Sequence, residues 1–98
     1  MAKQVTLEAA ERIIEAGRKK AEEMGTPMCV AVADGGANLV AFARMDGALL
    51  VAAGGRLVVF GGGIPLTDED GRVVGGIGVS GGSVEQDQDV AAAGAAAF

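Results

Sequence analysis

The stretch Gly78-Val79-Ser80-Gly81-Gly82 satisfies two catalytic patterns at once. As G-x-S-x-G it presents Ser80 as a nucleophile, and read from Gly76 as G-x-G-x-x-G it is a dinucleotide fingerprint ending at Gly81. A nucleophilic serine needs a base to take its proton, ordinarily a histidine oriented by a carboxylate. The chain has no histidine, and a lysine base would have to come from Lys3, Lys19 or Lys20, all on or before the first expected helix. The dinucleotide fold needs a strand, a glycine turn and a helix, then an acidic residue about twenty residues further on in a βαβ unit. Only residues 82–98 follow Gly81, so that reading is expected to fail on length. Ser80 is therefore assigned to a close-packed turn from strand to helix, and no catalytic residue is assigned.

Other residues could hold a ligand. A glycine turn at Gly81-Gly82 feeding a helix that starts at Ser83 leaves backbone N–H groups beside the positive end of the helix dipole. A carboxylate or phosphate suits them, unless Glu85 or Asp87 of the same chain takes those donors. Gly61-Gly62-Gly63 offers close approach to another backbone or to a flat ligand, and no Lys-Ser or Lys-Thr follows to make it a phosphate loop. Arg44 could pair a carboxylate in bidentate fashion and Asp46 could act as a base, or the two could be a structural pair. Met45 and Cys29 are soft donors, with Cys29 expected in the core. The candidate ligand-binding set is thus Arg44, Met45, Asp46, Gly61, Gly62, Gly63, Ser80, Gly81 and Gly82. No metal site is assigned.

The elements that must position these residues are legible from periodicity. Ala10, Ile13, Ile14, Gly17, Ala21 and Met24 recur at helical spacing, with Thr6 as N-cap and Gly25-Thr26-Pro27 as the stop. Residues 28–34 and 38–44 read as two strands of a hairpin turning through Asp34-Gly35-Gly36-Ala37, whose residues can supply a positive φ. Residues 56–63 read as a third strand ended by the three glycines, and 72–81 as a fourth. Ile64-Pro65-Leu66 and the acidic turn 67–71 are expected to connect them. A helix from Ser83 onward could bury Val84, Val90, Ala91 and Ala95, with Gly94 weakening it. The expected fold class is α+β: an antiparallel sheet of about four strands in two hairpins, with N- and C-terminal helices on one face.

Composition narrows the function classes. The 98 residues suit one domain, 1–98, with a modest core, and the only aromatics are Phe42, Phe60 and Phe98. A net charge of −5 and a pI near 4.5 exclude a nucleic-acid backbone binder. Arg12, Arg18, Lys19 and Lys20 fall in the first helix and read as a solvated face. One cysteine excludes an internal disulfide, and no apolar leader or membrane-length run is visible, so a cytoplasmic protein away from the membrane is expected.

Four segments in order, TLEAAERIIEAG (6–17), VADGGANLVAFARMDGA (32–48), VFGGGIPL (59–66) and GVSGGSVEQDQ (78–88), resemble the GlcG/HbpS family, which includes the C-terminal domain of PduO-type proteins. The resemblance implies a compact α+β fold with a profilin- or GAF-like layout, self-assembly into homo-oligomers and, in some members, haem as the ligand. It implies no agreed catalytic mechanism. The chain departs from the family between Ala48 and Arg56, where a helical segment of several turns is reduced to LLVAAGG. The shortened chain is expected to expose apolar sheet for a neighbouring subunit to cover. Three functions follow: a self-assembling small-molecule-binding domain with haem as candidate; an enzyme or accessory acting on a glycolate-like hydroxy acid or a diol; or a purely structural assembly unit.

Overall fold

We describe residues 3–48, 52–53, 56–57 and 62–98 of a computed structural model of the chain. Helix α1 spans Leu7–Met24 and begins where the Thr6 side chain accepts the Ala9 N–H at 3.0 Å. It ends at Gly25, whose φ of 68° lets the Gly25 and Thr26 N–H groups close on the Glu22 and Ala21 carbonyls. The apolar spacing does what it predicts: Ala10, Ile13, Gly17 and Ala21 are buried. On the outer face Arg18 pairs with Glu15 and Glu22, both at 2.6 Å, and Arg12 and Lys20 lie near Glu8 and Glu23. Arg12, Arg18 and Lys20 thus spend their charge locally, in solvent-screened pairs within their own helix.

Strands β1 (Cys29–Asp34) and β2 (Leu39–Arg44) form the expected hairpin. The Asp34 carboxylate accepts the Gly36 and Asn38 N–H groups and the Asn38 amide, and the positive φ falls on Ala37 rather than on Gly35 or Gly36. A two-residue pair follows, β3 (Ala52–Ala53) with β4 (Arg56–Leu57). Strand β5 covers Gly62–Thr67 and β6 Val73–Ser80, joined through Asp68, whose carboxylate accepts the Asp70 and Arg72 N–H groups.

The third long strand therefore differs from the expected 56–63, because it runs through Ile64-Pro65-Leu66, residues read as a connection. The reason is alternation. Ile64 and Leu66 sit opposite Ile77 and Gly75 and point the same way as the core. Pro65, which lacks an N–H, is tolerated because β5 is an edge strand in the order β2-β1-β6-β5. All pairings are antiparallel, so the α+β class and four-stranded sheet stand as expected.

Helix α2 (Val84–Ala96) starts in a capping box between Ser83 and Gln86. It buries Val90 and Ala91, whereas Val84 is 70% exposed, contrary to expectation. Position 84 is the first helical residue and points away from the sheet. Gly94 is not a weakness but a contact. A Cβ there would lie 3.1 Å from the Ile13 carbonyl and overlap the Ile77 side chain, so only glycine lets α2 lie this close to α1 and β6.

Both helices cover one face of the sheet, where Val30, Val32, Ile77 and Val79 meet Ile13, Leu66 and Val90. Each of these buried aliphatic side chains contributes about 2 kcal/mol. No helix among the described residues is long and apolar enough to cross a membrane.

Candidate functional site

In a strand, successive side chains point to opposite faces, so the residues between the core positions line the other side of the sheet. The described residues place no helix there. Its middle row runs Gly63, Gly78, Ala31, Phe42 across the four strands, and the next row runs Pro65, Gly76, Ala33. Apart from Phe42, Pro65 and Leu39, the partner of Ala33 on β2, these rows carry only glycine and alanine.

The glycines on it differ physically from the others. A Cβ on Gly63 would meet nothing within 4 Å, and one on Gly76 only the Ile64 carbonyl at 3.8 Å. Next door, a Cβ on Gly75 would run into the Ala33 carbonyl and the Val5 side chain at 2.7 Å. The packing of this chain thus requires glycine at 75 but not at 63 or 76. What glycine does at those two positions is keep the floor flat.

A third row closes one end of the floor: Ser80, Cys29 and Arg44, in register on β6, β1 and β2. Cys29 therefore alternates away from the helix-covered core in which it was expected, because Met28, Val30 and Val32 take the inward positions. It is nevertheless only 2% exposed and has no hydrogen-bond partner among the described residues. Burial pushes its thiol pKa up, and the nearby Arg44 charge opposes this, so the group is neutral at neutral pH.

The candidate residues from the end of β2 are tied down. Arg44 Nη1 donates to the Ala48 carbonyl at 3.1 Å. Met45 Sδ accepts the Met28 N–H at 3.4 Å while the Met45 N–H donates to the Met28 carbonyl at 3.0 Å. Asp46 shares an open cleft of about 340 Å³ with Arg18, Glu22, Arg44 and Met45. The ion pairs of the described residues do not include one between Arg44 and Asp46.

At the start of α2 the donors of Gly82, Ser83 and Gln86 are already used. Gly82 N–H donates to the Asp87 carboxylate at 2.8 Å, Ser83 N–H to the Gln86 side chain at 2.9 Å, and Gln86 N–H to Ser83 Oγ at 3.1 Å. Of the two occupants considered for this turn, the chain's own Asp87 is therefore the one present. Asp87 is 4% exposed, and burial raises its carboxyl pKa, with the Gly82 N–H pulling the other way. Gly81 has φ 147° and packs where a Cβ would lie 2.7 Å from the Pro27 carbonyl.

Of the nine candidate residues, the structure thus brings Gly63, Ser80 and Arg44 to one face of the sheet. It commits Met45 to Met28 and Gly81 and Gly82 to the turn. Gly62 opens β5 opposite Val79, and Gly61 lies outside the described residues. Sequence reasoning missed Ala31, Phe42 and Gly76. The signal was present in VGGIGVS (74–80), where Gly76, Gly78 and Ser80 alternate with the larger Ile77 and Val79.

Comparison with known proteins agrees with this architecture. An uncharacterised 15.0 kDa protein from the dhaT-dhaS intergenic region of Citrobacter freundii is 30% identical over 121 residues, covering 86% of this chain and 84% of the relative. That span exceeds the 98 residues available, so the relative carries positions with no counterpart here. The Klebsiella pneumoniae protein ORFY superposes with a TM-score of 0.84 at 28% identity, over 100% of this chain and 93% of its own. A PduOC–heme complex superposes with a TM-score of 0.81 at 26% identity, over 98% and 96%. The family described as haem-degrading protein HbpS-like matches in two pieces, residues 5–54 and 50–96, and the chain belongs to that HbpS-like family.

Proposed function

We propose that this chain is a small-molecule-binding, self-assembling domain, 1–98, whose ligand is haem, lying flat on the helix-free face of the sheet. The observation that carries the reading is the floor at Gly63 and Gly76, kept clear where the chain's own packing would accept a side chain. The solved heme complex of the related PduOC supports haem as the planar ligand.

The donor set fits haem in part. The floor matches a porphyrin plane, and Arg44 at its end could pair with a propionate carboxylate. A strong axial ligand is another matter: the chain has no histidine, the Met45 sulfur holds the Met28 N–H, and the Cys29 thiol is buried and neutral. Shape and charge, rather than iron ligation, carry the proposal. Haem would bring its iron, and the chain's own residues provide the apolar floor, the cation at its end and shelter from water. The unpaired Cys29 suits a reducing cytoplasm.

The test is a haem titration followed by visible absorbance on protein of verified 9.7 kDa mass. A saturable Soret change is expected. Gly76→Val, which raises the floor without touching the core, should weaken binding at least tenfold. Arg44→Ala removes the charge at the end of the floor together with the hydrogen bond to the Ala48 carbonyl, and should weaken binding about two- to fivefold. Absence of a saturable change at the correct mass, or a Gly76→Val protein that binds as tightly as the parent, overturns the reading.

A further inference from the structure

The described residues carry sulfur in Met24, Met28, Cys29 and Met45, and among them only the Met45 sulfur accepts a hydrogen bond. We propose that Met45 is a site of reversible oxidation, where a peroxide converts the thioether to a sulfoxide and so opens the last rung of the β1–β2 hairpin.

The backbone makes that rung depend on the sulfur. Beyond the pair Cys29–Arg44 the two strands continue to one more pair, Met28 with Met45, which a regular antiparallel ladder would join by two backbone bonds. The Met45 N–H does donate to the Met28 carbonyl at 3.0 Å, but the Met28 N–H goes to Met45 Sδ at 3.4 Å. The Met45 carbonyl is turned away into a tight turn, where it accepts the Ala48 N–H at 3.0 Å with Gly47 at φ 87°. Met28 is 0% exposed, so its N–H depends on that sulfur rather than on water.

The same side chain is within reach of a small oxidant. Met45 is half-buried and lines the open cleft of about 340 Å³ with Arg18, Glu22, Arg44 and Asp46. Met28 and Cys29 are closed off, and the neutral Cys29 thiol is a poor nucleophile. A lone pair of the Met45 sulfur attacks one peroxide oxygen, the O–O bond breaks, and the departing hydroxide takes the proton left on the transferred oxygen. The products are methionine sulfoxide and water, the sulfur losing two electrons and the peroxide gaining them. A sulfoxide sulfur is electron-poor and accepts weakly, while its oxygen is a strong acceptor that needs room. The Arg18 and Arg44 guanidinium groups in the cleft supply donors for that oxygen, which draws the side chain outward and leaves the Met28 N–H without its partner. The Met24 sulfur has no hydrogen bond among the described residues, so oxidation there breaks no rung.

The experiment treats the whole chain with hydrogen peroxide and reads peptide mass and amide exchange. Trypsin cutting after Lys20, Arg44 and Arg56 gives fragment 45–56, with Met45 as its only sulfur, and fragment 21–44, with Met24, Met28 and Cys29. The native protein is expected to gain one oxygen on 45–56 while Met28 stays unmodified, and the Met28 amide should then exchange about tenfold faster or more. A methionine sulfoxide reductase should restore the original rate. Met45→Leu keeps the apolar bulk without the sulfur, so its Met28 amide should exchange fast from the start and respond no further to peroxide. Oxidation of 45–56 no faster than that of Met28 overturns the proposal, as does a Met45 sulfoxide with unchanged exchange at Met28. Failure of the reductase to restore the rate, or a peroxide response in Met45→Leu, would trace the effect to another group and sink it equally.

Discussion

Asp87 is a buried carboxylate with an identified partner, and its cost can be measured. Burial raises its pKa in the folded chain, and the Gly82 N–H offsets part of that rise. A carboxyl whose folded pKa lies above its unfolded value contributes stability that is complete below the unfolded pKa and lost as pH rises through the folded one. Asp87→Asn keeps an oxygen for the Gly82 N–H and never ionises. Chemical denaturation from acid to neutral pH should therefore show the asparagine variant gaining on the parent as pH rises through the acidic range. Parallel curves would mean that Asp87 carries no raised pKa. Gly76→Val is informative at the same scale, because open space above position 76 and the strand preference of valine should make the variant more stable by about 0.5–1 kcal/mol. A position where a side chain improves stability but harms ligand binding is held by function, and a variant that loses stability instead would show that glycine there serves the fold.

At the level of elements, the turn between β6 and α2 ties the sheet to the second helix through Gly81. Its φ of 147° is a region that side chains rarely enter, and a Cβ would lie 2.7 Å from the Pro27 carbonyl and 3.0 Å from Met28 Cα. Gly81→Val should cost about 3 kcal/mol, combining backbone strain with backbone overlap, and thermal unfolding should show the loss. A melting temperature unchanged from the parent would contradict the turn geometry. The same element shows what could be read in advance. The Thr6 and Ser83 caps were visible because capping is local chemistry, with a hydroxyl placed against the first N–H groups. The β1–β2 hairpin was visible for a similar reason, as two apolar runs flank a short Asp-Gly turn. Strand β5 is hidden in the sequence because its glycines and proline carry the local signature of a turn, and only pairing with β6 makes them extended. Gly94 is hidden likewise, since intrinsic propensity counts against it while the Ile13 backbone across the helix interface favours it. The flat face escaped residue-by-residue reading altogether. Its members come from four strands, and only the register assembles them.

For the molecule as a whole, the dominant long-range term is charge. Thirteen acidic residues against eight basic ones leave −5 per chain, so any two copies repel before they touch. The rows named on the helix-free face carry no carboxylate, and attraction between apolar surfaces is not screened by salt. Raising ionic strength from about 0.01 M to about 0.15 M shortens the screening length from about 30 Å to about 8 Å and removes most of that repulsion. Self-assembly through an apolar face should therefore tighten with added salt, read as a fall in the protein concentration at which the mass rises above 9.7 kDa. An interface built on ion pairs would behave in the opposite way, because screening would remove its attraction along with the repulsion. Weakening of the assembly by salt would accordingly shift attention from the glycine floor to the charged outer face of α1, where Arg12, Arg18 and Lys20 pair within their own helix.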